Sequence, residues 1–250
     1  MTGRNITAAV ALDVRRILRN PRYLVFAIGM PLGFYLLYSA QFGGAARPFA
    51  GTTWGAYFLI SMVTFGGSGT TLNVTGTQTA AERDQGWHRL LRVTPLSAGQ
   101  YVVAKVITAM LMSLVVSAVV PAAAALNGVA VAPLAVLEAA AAVWAGSLVF
   151  AAIGLALGQW LDGTSVTYGV TLVYLGTAFL GGLWTPVQVL PRVFTSIAQF
   201  MPSYRVAQLG WDILAHRAMS PADLAILAAY AVVFGVVGGV LYARIEPRRP

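Results

Sequence analysis

Six apolar stretches of about 20 residues limit what this chain can fold into. They run from about Tyr23 to Phe42, Trp54 to Thr77, Val102 to Leu126, Val136 to Leu161, Tyr168 to Trp184 and Ala222 to Tyr242. At a rise of about 1.5 Å per residue, each makes a helix near 30 Å long, the thickness of a bilayer's hydrocarbon core. No water reaches that core to satisfy backbone amides, so helices that bond within their own segment are the favoured spanning form. The expected fold is an all-α polytopic membrane protein with six transmembrane helices. Composition agrees: 58% of the 250 residues are hydrophobic and 10% are charged, which excludes soluble and disordered chains. Between the spans lie a basic N-terminal segment, short loops and one longer loop. No soluble catalytic domain fits there, and no short-period repeat or Gly/Ser-rich linker marks a second unit, so residues 1–250 read as one transmembrane domain. Any energy source has to lie outside the chain.

Sixteen Lys+Arg against eight Asp+Glu would suggest nucleic acid in a soluble protein. In a membrane protein such an excess marks cytoplasmic loops. An internal N-terminus puts Arg4, Arg15, Arg16, Arg19, Arg22, Arg83, Arg89, Arg92, Lys105, Arg244, Arg248 and Arg249 on the cytoplasmic side. Arg47, Arg192, Arg205 and Arg217 are left outside. Both termini are therefore expected in the cytoplasm, with membrane lipid as surroundings and no nucleic-acid partner. The chain has no Cys, so it forms no disulfide, thiolate metal site or iron–sulfur cluster. The first apolar stretch is too long for a signal core, and Tyr38 spoils a small-x-small cleavage pattern before Ala40, so it reads as a retained helix.

Three stretches outside the spans carry the most information. In the leader, 1–22, Ile6, Val10, Val14, Ile17 and Leu18 share one helical face while Asp13, Arg15, Arg16 and Arg19 lie elsewhere. That pattern suits an amphipathic interfacial helix, broken at Asn20-Pro21 before the first span. The second stretch, 79–101, contains Glu82-Arg83-Asp84-Gln85-Gly86-Trp87-His88-Arg89-Leu90-Leu91-Arg92-Val93-Thr94-Pro95. Trp87, Leu90, Leu91 and Thr94 fall at i, i+3, i+4 and i+7, which predicts a short amphipathic helix ended by Pro95. From pattern alone, an interfacial cap is the stronger reading. The third, 185–217, has Pro186, Leu190-Pro191 and Pro202-Ser203-Tyr204 after Gly181-Gly182-Leu183-Trp184. It is too polar and proline-broken to span, so it is either an ordinary outer loop or a pair of short helices dipping back into the outer face.

The order of residues in these stretches resembles the permease subunits of type-2 ABC exporters, and the resemblance covers nearly the whole chain. Its most specific parts are the acidic-basic-acidic triplet with Gly86, Leu90-Leu91 and Thr94-Pro95, and the proline-marked stretch after the fifth span. Pro31 inside the first span also fits. The resemblance implies that Glu82, Arg83, Asp84, Gly86, Trp87, Arg89, Leu90, Leu91, Thr94 and Pro95 belong to a coupling helix that contacts an ATPase. It implies an external re-entrant hairpin built on Pro186, Pro191, Pro202 and Tyr204. It also implies a substrate path along the second and fifth spans, for which Thr70, Asn73, Tyr174 and Phe179 are the candidate contacts. The implied partners are two copies of a separate ABC ATPase, which carry ATP and magnesium, and a second permease copy in a homodimer or heterodimer. The implied location is the bacterial inner membrane, and the implied activity is export of an amphipathic drug, antibiotic, lipid or similar molecule. This chain itself is expected to hold no cofactor.

Read without the resemblance, the remaining chemistry is sparse. The P-loop pattern G-x-x-x-x-G-K-[ST] is missing, since the only lysine is Lys105, between Ala104 and Val106. His88 and His216 fall on opposite sides of the membrane in this topology, which argues against a shared metal site. Glu138 is the only carboxylate well inside an expected span, about one turn from its outer end. A Glu at that depth reads as snorkelling to the headgroups before it reads as a proton relay, an intramembrane enzyme or an assembly factor. A sensor that partners an ATPase without moving substrate is a further alternative. Gly66, Gly67 and Gly69, Gly154 and Gly158, and Gly235 and Gly239 suit close helix packing. The hydroxyls of Thr64, Thr70, Thr71, Thr171 and Thr177 most often bond their own helix's carbonyls.

Overall fold

The structure is a computed structural model that describes residues 2–41, 46–86, 96–126 and 132–245. It begins with the amphipathic helix α1 (Thr2–Leu18), a break at Arg19-Asn20, and α2 (Pro21–Gln41), which carries Pro31. A two-residue hairpin follows, β1 (Pro48–Phe49) paired antiparallel to β2 (Thr52–Thr53). Its turn residues Ala50 and Gly51 both have positive φ (51° and 87°), the twist that tight two-residue hairpins require.

Helix α3 (Trp54–Leu72) starts at Thr53, whose side chain accepts a hydrogen bond from the Ala56 amide. It runs through one π-helical turn (Asn73–Thr77) into α4 (Gln78–Asp84). Every residue of α3 except Gly69 is buried, so α3 forms the centre of the bundle. Helix α5 (Ala98–Leu126) packs along it. Then come α6 (Pro133–Gly146) and α7 (Leu148–Trp160), joined at Ser147 with little change of direction in the backbone bonding. The remaining elements are α8 (Gly163–Leu180), a 3-10 turn (Val187–Val189), α9 (Arg192–Ala198), α10 (Pro202–Leu214) and α11 (Pro221–Ile245).

Among the described residues, four stretches are long and apolar enough to cross a membrane: Pro21–Ala40, Gly99–Leu126, Pro133–Trp160 and Pro221–Leu241. These correspond to the expected first, third, fourth and sixth spans, the fourth being α6 and α7 together. The expected second and fifth spans are also helical, as α3 and α8, but their Gly, Ser and Thr residues dilute their hydropathy below that of the other four. The protein is thus a multi-pass membrane protein, helical among the described residues apart from one small hairpin.

Glycines set how closely the core helices approach. A Cβ at Gly66 would lie 2.5 Å from Val116 and 3.0 Å from the Pro31 ring, so α2 and α5 both crowd this point of α3. The π turn docks on α7 through Gly154 and Gly158: added Cβ atoms would lie 2.1 Å from Thr75 Oγ1 and 2.7 Å from the Gly76 carbonyl oxygen. The Gly154/Gly158 pair therefore receives a neighbouring segment of the same chain. Gly235 and Gly239 face open space.

Helix α1 lies against α5, with Val14 and Ile17 meeting Val74, Ala109 and Met112. Leu18, read as part of the apolar face of an interfacial helix, is exposed, and Asp13, read as lying off that face, reaches the buried Lys105. The charge partner outweighs the apolar pattern at that turn.

Candidate functional site

At the end of the bundle where α4 meets α1 and the start of α5, five side chains form a polar junction. Glu82 (3% exposed) and Lys105 (1% exposed) are both enclosed, with Lys105 Nζ 2.6 Å from Glu82 Oε1. Lys105 also reaches Asp13 of α1, at 2.8 Å. Arg16 donates to Glu82 Oε1 at 3.2 Å, and the Tyr101 hydroxyl donates to Glu82 Oε2 at 2.5 Å. Two cations face two carboxylates, so no net charge is buried. Without these partners, sequestering either charge would cost several kcal/mol.

The next two residues reach other helices. Arg83 donates to the carbonyl oxygens of Gly158 (3.1 Å), Gln159 (3.0 Å) and Leu161 (2.6 Å), satisfying acceptors that α7 leaves free at its C-terminus. Asp84 accepts from the Gly163 amide at 3.1 Å, at the N-terminus of α8, where a negative charge is favoured. Consecutive residues of α4 thus bind α1 and α5, then α7, then α8. The turn closes at Gly86, whose φ of +76° favours glycine. Trp87, Arg89, Leu90, Leu91, Thr94 and Pro95 lie outside the described residues, as does His88.

A cleft of about 320 Å³ opens between α2, α3 and α8. It gathers Thr70, Asn73 and Tyr174 with Tyr23, Phe26 and Met30. Tyr174 stacks on Phe65 at 4.5 Å and lies against Gly69, where a Cβ would meet its ring at 2.6 Å. Thr70 Oγ1 and the Tyr23 hydroxyl are buried there without a hydrogen bond of good geometry. Neighbouring hydroxyls behave differently. Thr71 donates to Gly67 O (3.1 Å), Thr75 to Thr71 O (2.7 Å) and Thr177 to Val173 O (2.6 Å), which satisfies each within its own helix. Phe179 is outside the cleft, half exposed and edge-on to Phe194.

At the opposite end of α3, the chain turns back after α8. Leu183 N–H bonds Ala178 O and Gly182 N–H bonds Phe179 O, with Gly182 at φ +71°, the glycine-dependent helix stop in which two amides reach back over the last turn. Gly181 is equally constrained, since a Cβ there would sit 2.2 Å from Ser203 Oγ. Pro186 precedes the 3-10 turn, Pro191 precedes α9, and Pro202 opens α10 at a position that needs no amide donor. Helix α10 packs on α3 and α6: Trp211 stacks on Tyr57 at 4.3 Å and donates to its carbonyl oxygen at 3.1 Å. Tyr204 sits edge-on to Trp211, and Arg205 pairs with Asp223 of α11. Glu138 is exposed on α6.

The sequence did not single out Asp13, Tyr101 or Lys105 as members of one site. Lys105 had a usable signal: it is a lone charge between apolar residues in a spanning helix, and such a charge needs a partner.

This arrangement, a multi-pass helical bundle with a polar junction at one end and a helical turn-back at the other, is that of an integral membrane protein. A family model described as ABC-2 family transporter protein matches residues 39–241. The chain belongs to that family. It is 26% identical over 223 residues to a protein of Bacillus subtilis (strain 168) named as transport permease YvfS, across 89% of this chain and 90% of that protein. The chain is accordingly a transport subunit rather than an enzyme, and its family implies partnership with an ABC ATPase.

Proposed function

We propose that this protein is the six-span permease subunit of an ATP-driven exporter. Two permease copies enclose the path, and two separate ATPase chains drive it. Both termini and the segment after α4 face the cytoplasm, as the Lys/Arg distribution favours, and the turn-back through α9 and α10 faces outward.

The observation that carries this reading is the position of α4. Glu82, Arg83 and Asp84 come just before the sequence that resembles a coupling helix, and their side chains hold α1, α5, α7 and α8. A rigid displacement imposed on that segment by an ATPase would reach four helices through one short lever. ATP binding then biases the bundle between two arrangements by contacting one better than the other. Between α2, α3 and α8, the cleft offers an apolar wall with the hydroxyls of Thr70 and Tyr174 and the Asn73 amide, which suits an amphipathic drug, antibiotic or lipid-like molecule.

Inside-out vesicles containing the permease and its ATPase test the proposal. ATP-dependent accumulation of an amphipathic fluorescent substrate, abolished by an ATPase lacking its catalytic Glu, is expected. Accumulation in the absence of the ATPase, or ATP turnover with no substrate movement for any amphiphile, overturns it.

A further inference from the structure

A second crevice, of about 480 Å³, lies between α5, α7 and α11 and shares no lining residue with the α2–α3–α8 cleft. Its walls include Val102 and Val106 of α5, Leu148 and Leu155 of α7, and Phe234 of α11. All three helices lie within stretches apolar and long enough to span a bilayer, so hydrocarbon surrounds the opening. The crevice exists because α11 approaches α7 closely at Gly238, where a Cβ would come 3.5 Å from the Ala156 backbone, while Gly235 and Gly239 on either side leave open space. Such a volume lies within the range of sites for small ligands, ~300–1,000 Å³.

One polar group interrupts these walls. Gln159 lines the crevice at the end nearest Arg83, is 4% exposed, and has its Oε1 buried without a hydrogen-bond partner among the described residues. Arg83 engages only the backbone oxygen of Gln159, so its side chain is not used by the polar junction. A buried carbonyl without a donor is costly, and an occupant that supplies one removes that cost. From Gln159 to Leu148 the crevice runs ~16 Å along α7 at helical rise, an elongated apolar slot with an acceptor at one end.

We infer that this crevice is a binding site for a resident membrane phospholipid, with one acyl chain lying along α7 and a headgroup hydroxyl or ammonium donating to Gln159. The site is separate from the proposed substrate path. An acyl chain there fills the space that Gly235 and Gly239 leave and seats α11 on the bundle.

The test uses the permease in nanodiscs containing trace phospholipid with a diazirine in its acyl chain, with photolabelled peptides mapped by mass spectrometry. Labelling is expected to concentrate on Ala152 and Leu155 over the outward-facing Val232 and Val236. Gly235→Leu and Gly239→Leu extend into the crevice from positions where an added Cβ meets no protein atom within 4 Å, and they should cut that labelling at least fivefold without lowering the melting temperature. Native mass spectrometry provides an independent arm. Phosphatidylethanolamine and phosphatidylglycerol, which carry donors, should be retained over phosphatidylcholine, which carries none, and Gln159→Leu should remove that preference. Uniform labelling, unchanged labelling in both filled variants, or a headgroup preference that survives Gln159→Leu overturns the proposal. Loss of labelling when ATP and the ATPase are added identifies the occupant as cargo and overturns residency. The labelling and mass-spectrometry arms without ATP require no transport, so their failure leaves the exporter reading intact.

Discussion

Lys105 Nζ and Glu82 Oε1 lie 2.6 Å apart, both buried, in a chain whose only lysine this is. The pair joins α5 to α4, and the further bonds to Asp13 and Arg16 bring in α1. Removing one partner strands the other's charge, which for buried pairs costs about 3–5 kcal/mol. Lys105→Met and Glu82→Gln should each lower stability by that order. The double variant should be less destabilised than the sum of the two, as a cycle of thermal unfolding measurements in detergent would show; strict additivity would mean that the two charges do not depend on each other.

Arg83 should behave as a helix cap with a geometric requirement. Its guanidinium reaches three carbonyl oxygens, which an ammonium cannot match in the same fork. One charge-assisted bond contributes about 1.5–3 kcal/mol. Arg83→Ala is expected to lose at least that amount, and Arg83→Lys to recover less than half of it, by melting temperature of the purified permease. Full recovery by Lys would reduce the role of Arg83 to its charge.

Glycine substitutions should separate by what surrounds them. Gly158→Ala places a Cβ 2.7 Å from the Gly76 carbonyl oxygen, so the π turn or α7 has to shift, at about 1–3 kcal/mol for overpacking. Gly176→Ala, in α8 with nothing nearby, should be neutral or stabilising by about 0.5–1 kcal/mol. Unfolding of the two variants side by side checks the contrast.

The cleft makes a prediction about transport without loss of fold. Asn73→Ala and Tyr174→Phe each remove polar atoms at the cleft, and Tyr174→Phe keeps the ring that stacks on Phe65. Loss of one hydrogen bond, about 0.5–1.5 kcal/mol, corresponds to roughly a 2- to 10-fold rise in KM. Phe179→Ala, outside the cleft, should leave KM within about twofold, since a shift smaller than ~0.4 kcal/mol is expected where no contact is lost. Transport assays normalised to assembled complex decide between these outcomes.

Membrane orientation is testable with single cysteines because the native chain has none. Gln85→Cys and Ala218→Cys, both at exposed positions, should react from opposite sides with a membrane-impermeant maleimide, Gln85 from the cytoplasm. Reaction of both from one side would overturn the topology.

Span periodicity was legible because burial in lipid needs only long apolar runs. Pro186, Pro191 and Pro202 stand before the 3-10 turn, before α9 and at the start of α10, element starts that a missing amide makes readable as a local constraint. The π turn at Asn73–Thr77 left no local trace: its bonding is tied to the approach of Gly154 and Gly158 on a helix about 80 residues away. Asp13 was misplaced for a similar reason, since its direction depends on Lys105, far off in sequence. The hairpin at Pro48–Thr53 was missed because strands of two residues are too short for an alternating pattern to register. Thr70, Asn73 and Tyr174 were brought together by α3 and α8, whereas Phe179 fell one helical face away, beyond what span assignment alone resolves.

The enclosure of Lys105 also turns the protein into its own chemical reporter. The chain's single ε-amine is 1% exposed and held by two carboxylates, so amine-directed reagents should pass it by while the polar junction is closed. In an assembled transporter, acylation of Lys105 would then mark the moments when α1, α4 and α5 part. Its rate with and without ATP would measure that opening directly, on a native residue and with no label introduced.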